Sequence, residues 1–154
     1  MKNRIMLTIV SLSMFGCAAG PDRISETPSG KPEVTFSLTD KAKIKGAIAS
    51  EMFNQGYTLI SDSDLIEQFS RPTKGAEDFV ASMAAGNGLS SNTRIETFNL
   101  VPTDNGLRVV VTSVITSQLP GGQIQSLPLE STADFNAFQV LLNTIKSRLD
   151  GIKT

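Results

Sequence analysis

Two alternating runs joined by one turn, Thr93–Val101 and Leu107–Thr116, restrict the folds open to this 154-residue chain more than any other stretch. A strand sends successive side chains to opposite faces, so alternation of this kind reads as extended chain. Between the runs, Pro102-Thr103-Asp104-Asn105-Gly106 is a turn, with Asn105-Gly106 expected to supply positive φ. Leu107, Val109, Val111 and Ile115 share one face of the second run, while Val110 and Val114 put apolar groups on the other. A strand that is apolar on both sides belongs inside a sheet rather than at its edge. The antiparallel pair so formed needs an apolar cover.

The cover is legible near the end of the chain. Phe135, Phe138, Leu142, Ile145 and Leu149 recur at helical spacing, and Leu141 widens the stripe. Ser131 or Thr132 opens this helix, Asp134 suits its first turn, Lys146 and Arg148 suit its last turns, and Gly151 ends it. A second helix is expected from Lys41 to Gln55. It is capped by Asp40, striped by Ile44, Ala47, Ile48 and Met52 with Phe53 beside them, and stopped by Gly56. Val34–Leu38, Tyr57–Ser61, Leu65–Ser70 and a weaker run from Gln123 to Leu129 read as further strands. Residues 75–85 place Ala76, Phe79, Val80 and Met83 on one face of a short helix or insertion, which Gly86-Asn87-Gly88 stops. Strands that succeed one another through short turns argue for an antiparallel sheet. The expected class is α+β, with about five strands and two amphipathic helices on one face.

Composition removes whole classes of chemistry. The chain has no histidine or tryptophan, one cysteine and one tyrosine. Histidine-dependent triads and imidazole metal sites are therefore absent, and so is an internal disulfide. The formal charge is −1, without a basic stripe for nucleic acid or anionic headgroups. No cofactor fingerprint is present, and neither a metal nor a nucleic-acid partner is expected.

The amino terminus carries a different kind of information. Met1-Lys2-Asn3-Arg4 is positive, Ile5–Phe15 is uncharged and mostly apolar, and Gly16 and Cys17 follow at once. This is the anatomy of a secretory signal, and the apolar run is too short to span a bilayer. Met14-Phe15-Gly16-Cys17 resembles the end of a bacterial lipoprotein signal. That resemblance implies cleavage between Gly16 and Cys17 and attachment of acyl chains, palmitate among them, to Cys17. Residues 1–16 would then be the signal, 17–33 a Pro- and Gly-containing tether, and 34–150 a single domain. Loss of Lys2 and Arg4 takes the net charge from −1 to −3. As a coil the tether reaches roughly 20–25 Å. Ala18 stands where an aspartate retains lipoproteins of this family at the inner membrane, which implies the outer membrane. Inner-membrane anchoring and surface exposure are the alternatives.

The layout of the domain also resembles a family. The helix ending at Gly56-Tyr57, the strand ending at Phe69-Ser70-Arg71-Pro72, the strand Arg94-Ile95-Glu96-Thr97-Phe98, the Asp104-Asn105-Gly106 turn and the final helix are similar to small proteobacterial outer-membrane lipoproteins of the helix-grip type. Such domains occur among accessory lipoproteins of the outer-membrane β-barrel assembly machinery. The resemblance implies a non-catalytic interaction module with an envelope protein as partner. It carries over no functional residue except Cys17.

Three groups of residues invite chemistry. Asp62-Ser63-Asp64 begins like a calcium loop, but Ile66, Glu67 and Thr73 stand where a third ligand, a glycine and a glutamate are needed, so a solvated hairpin turn is expected. Glu67 and Glu96 lie in strands and are the most interesting of the carboxylates for a carboxylate-only hydrolase, though outward-facing surface residues are the ordinary outcome. Phe36, Phe53, Phe98, Phe135 and Phe138 can either pack a core or line a cavity for a small apolar or lipid-like ligand. The segment Gly75–Ser91, bounded by glycines, is either the partner-binding element or a plain insertion.

Overall fold

The computed structural model describes residues 26–75, 81, 83, 91–119 and 121–151. The signal and most of the expected Gly75–Ser91 element lie outside them. Of that element, Ala81 and Met83 are helical, but Ala81 is buried and Met83 exposed, the reverse of the face expected for Met83.

The elements run β1 (Glu33–Phe36), α1 (Lys41–Asn54), β2 (Thr58–Asp62), β3 (Ile66–Pro72), β4 (Ser91–Thr103), β5 (Gly106–Gln118), β6 (Ile124–Pro128) and α2 (Thr132–Gly151). The class is α+β, with one antiparallel sheet of six strands rather than five. The sheet order is β1-β5-β4-β3-β2, and β6 also pairs with β5. β1 and β6 occupy the same edge of β5: β1 pairs with Leu107–Val110 and β6 with Val114–Gln118. One sheet edge is thus assembled from two separate pieces of chain. β5 is flanked on both sides, as its two apolar faces require.

Local chemistry explains the boundaries. The Asp40 side chain accepts from the Lys43 N–H and caps α1, and Gly56 leaves it at φ +80°. The Ser131 hydroxyl accepts from the Asp134 N–H and caps α2. The β4–β5 hairpin closes Thr103 against Gly106. Only glycines have positive φ among the described residues, so Asn105 does not share that role with Gly106. Gly106 meets a second demand: a Cβ there would stand 1.9 Å from the Phe36 carbonyl oxygen, so only glycine lets β1 lie against the hairpin.

Both helices cover one sheet face. Ile44, Ile48 and Met52 of α1 and Phe138, Leu142 and Ile145 of α2 pack onto Phe69, Phe98, Leu100, Val109 and Val111. Each such side chain, removed from water, contributes roughly 1.5–3 kcal/mol. Four rings cross this layer edge to face, with centroids 6.1, 5.7 and 6.2 Å apart along Phe53, Phe69, Phe98 and Phe138. Phe53 caps the outer end of the ladder and remains half exposed, so it widens the α1 stripe less than its position in sequence implies. Across the helices, Arg148 pairs with Glu51 at 2.9 Å.

Strand β1 receives an unusual partner. The Glu33 N–H donates to Gln139 Oε1 at 3.1 Å, and Gln139 Nε2 donates to the Glu33 carbonyl at 3.0 Å. A side-chain amide thus imitates one rung of a neighbouring strand and docks α2 on the sheet edge.

Candidate binding site

Along its helix-facing side β4 reads Asn92, Arg94, Glu96, Phe98, Leu100, and all five are buried. The apolar half lies under the helices. The polar half carries a connected network. Arg94 Nε donates to Glu96 Oε1, the Ser113 hydroxyl donates to Glu96 Oε2, and the Tyr57 hydroxyl donates to Glu96 Oε1 at 3.3 Å. Arg94 Nη2 reaches Asp134 Oδ1 of α2 at 2.7 Å, and the guanidinium lies 5.8 Å from the centre of the Phe138 ring. Beyond it, the Ser117 hydroxyl donates to Asn92 Oδ1 at 2.6 Å.

Register brings these groups together. Glu96 faces Ser113, Arg94 faces Ile115 and Asn92 faces Ser117 across the β4–β5 ladder. Burial pushes the Glu96 carboxyl up, against the pull of Arg94 and its hydrogen-bond donors. Burial works against the Arg94 charge too, yet Glu96 beside it outweighs that and holds the guanidinium firmly cationic. Burial and the neighbouring Glu96 raise the Tyr57 phenol.

A cavity of about 450 Å³ adjoins this network. That size lies within the range of small-molecule sites. It opens where β1 and β6 meet end to end along β5. Val111 and Ser113 line it from the sheet, Asp134, Phe135 and Phe138 from α2, and Ser29–Pro32 and Pro128–Ser131 from the two converging loops. Ser113 and Asp134 belong both to the cavity and to the buried network, so the cavity shares a wall with the fixed charges.

The five phenylalanines divide. Phe135 and Phe138 line the cavity, Phe36 and Phe98 are packed core, and Phe53 is at the surface. Glu67 and Glu96 do not face outward as expected. Pairing of Glu67 with Phe98, and of Phe69 with Glu96, turns both carboxylates onto the helix-covered face. Neither lines the cavity. Glu67 is buried with Oε2 lacking a hydrogen-bond partner, and burial pushes its carboxyl up to about 7. In the Asp62-Ser63-Asp64 turn both carboxylates pair with lysines of α1. Lys45 pairs with Asp62 and also donates to the Ser63 carbonyl at 2.8 Å, and Lys41 pairs with Asp64. No cluster of potential metal ligands occurs among the described residues.

Arg94, Ser113 and Asp134 carry no functional expectation in the sequence. The available signal was the Asn92-Arg94-Glu96 alternation, which puts three polar residues on the same face as Phe98 and Leu100. No helix among the described residues is long and apolar enough to cross a membrane. The sequence matches no protein-family model and no curated protein.

Proposed function

We propose that this protein is a lipid-anchored envelope lipoprotein whose domain acts as a non-catalytic interaction or accessory module at the periplasmic face of the outer membrane. The observation that carries the reading is the Met14-Phe15-Gly16-Cys17 motif behind a short apolar run. Acyl chains on Cys17 are the membrane contact, and stable attachment takes at least two of them. A tether between Cys17 and the docked Ser29–Pro32 lead-in to β1 lets the domain reach an envelope protein while remaining at the bilayer. The absence of histidine and of a free thiol after acylation favours a role in contact over catalysis. Changing Cys17 to Ser tests the anchor: the variant is expected in the soluble envelope fraction, and its retention in membranes would remove the reading. Crosslinking in native envelopes tests the partner, with a reproducible protein adduct expected.

A second reading, a binder of a small apolar or lipid-like ligand, is favoured by the cavity beside Phe135 and Phe138. Native mass spectrometry of the protein released gently from detergent is expected to retain such a ligand.

A further inference from the structure

The cavity has a chemically particular floor. Val111 lies where the edge of β5 passes from β1 to β6. Its N–H donates to the Pro32 carbonyl at 2.9 Å. In an antiparallel ladder such a pair exchanges two hydrogen bonds, and the N–H and C=O of one residue point to the same side. Pro32 has no N–H to return. The Val111 carbonyl therefore points at the strand junction without its ladder donor. One step along, the Leu129 N–H donates to the Ser113 carbonyl at 2.9 Å, and the return bond from the Ser113 N–H to the Leu129 carbonyl is not formed. The chain diverges on both sides here, through Ser29–Pro32 and Pro128–Ser131, and the cavity lies between them.

An acceptor and a donor of the β5 backbone are thus left side by side at the cavity, under an aromatic wall of Phe135 and Phe138. Three of the neighbouring polar side chains, Ser113, Ser131 and Asp134, are committed elsewhere. The Ser113 hydroxyl donates to Glu96, and the two Asp134 oxygens take Arg94 and the Ser131 hydroxyl. Beside the apolar surface, the sheet itself offers one backbone-type donor–acceptor pair. A single trans amide points its N–H and C=O to opposite sides. The group that matches is therefore a pair of successive amides flanking one residue, the C=O of the first meeting the Ser113 N–H and the N–H of the second meeting the Val111 carbonyl.

We infer that the cavity is a binding site for a ligand carrying two successive secondary amides about an apolar group, either a short peptide segment or a small diamide. This deepens the small-ligand reading and is independent of Cys17. A ligand held by hydrocarbon contact alone would leave that reading standing and remove this one.

The test uses the full-length chain in detergent micelles, labelled with ¹⁵N and ¹³C. It is titrated with N-acetyl-leucine N-methylamide, with the matching methyl ester, and with isobutylbenzene as an apolar probe. The diamide is expected to saturate, shifting the Ser113 amide proton downfield and moving the Val111 carbonyl and the Phe135 ring. The ester is expected to bind more weakly. Replacing Pro32 by Ala restores a donor for the Val111 carbonyl and should weaken diamide binding about fivefold, the worth of one hydrogen bond. Pro28→Ala, in the same lead-in but off the ladder, should leave it unchanged. A capped tripeptide binding more tightly than the diamide assigns the site to peptides, and the opposite order assigns it to small diamides. Equal affinity for isobutylbenzene with an unmoved Ser113 amide overturns the proposal, as does an unchanged affinity in Pro32→Ala. Absence of saturable binding at millimolar probe does the same. If Pro32→Ala folds poorly, the comparison of the three probes still decides.

Discussion

The helix-covered face of the sheet has two halves that solve burial differently. Around Phe98, Leu100, Val109 and Val111 the solution is apolar contact with α1 and α2. Around Arg94, Glu96, Ser113 and Asn92 it is a hydrogen-bonded network with fixed charges. The apolar half is non-directional and tolerates small shifts. The polar half demands that each group meet its partner, because an unpaired buried charge is far costlier than a small void. The two glutamates make the contrast sharp. Glu96 has Arg94, Ser113 and Tyr57 around it, whereas Glu67, two rows away on the neighbouring strand, keeps one buried oxygen without a partner. Burial pushes both carboxyls up, but only at Glu96 do hydrogen-bond donors pull against it.

The strongest way to break the comparison is to unpair the polar half. Arg94→Met leaves Glu96 and Asp134 without their cation and should destabilise the fold by about 3–5 kcal/mol in denaturant titration. Adding Glu96→Leu should recover most of that loss, because the fully buried carboxylate is then gone, while Asp134 is partly exposed and keeps the Ser131 hydroxyl. In the apolar half, Phe98→Ala should cost about 3–5 kcal/mol through a cavity, and no second truncation should recover it. A double variant as unstable as Arg94→Met would erase the distinction between the halves.

Glu67 gives the next effect and a sign. Its folded value, about 7, lies above the ordinary 4.5, so the folded state binds the extra proton between those limits. Stability from this group is full below about 4.5, is lost as pH rises toward 7, and stays low above it, with a total change of up to ~3 kcal/mol. Glu67→Gln should flatten that slope and raise stability at pH 8, as read by thermal unfolding at pH 4.5, 6 and 8. A slope unchanged in the variant would assign the pH dependence to another carboxylate.

Gln139→Ala sharpens the picture at the sheet edge. It strips the Glu33 N–H and carbonyl of their partner and should cost about 1–3 kcal/mol, with faster hydrogen exchange at the Glu33 amide. The smallest effect belongs to the exposed pair of Arg148 and Glu51. Arg148→Ala should change stability by less than about 1 kcal/mol, and less still at high salt.

Much of the fold is present in local pattern. The Leu107–Ile115 alternation, the Phe135–Leu149 spacing and the caps at Asp40, Gly56 and Ser131 all name elements that form. Such features depend on neighbours within a few residues, so they are legible along the chain. Two readings failed for reasons that lie between elements. Glu67 and Glu96 face inward because the β3–β4 register aligns them with Phe98 and Phe69.

By itself the sequence determined the α+β class, the helix-striped cover, the amino-terminal motif and the exclusion of imidazole chemistry, since each rests on residue type and short-range spacing. Only the tertiary structure decided that β1 and β6 share one edge of β5, and that Pro32, Val111, Ser113, Asp134 and Phe138 come together around a cavity. Those residues are remote in sequence, and their meeting is set by strand register and by α2 docking through Gln139, which no local period encodes.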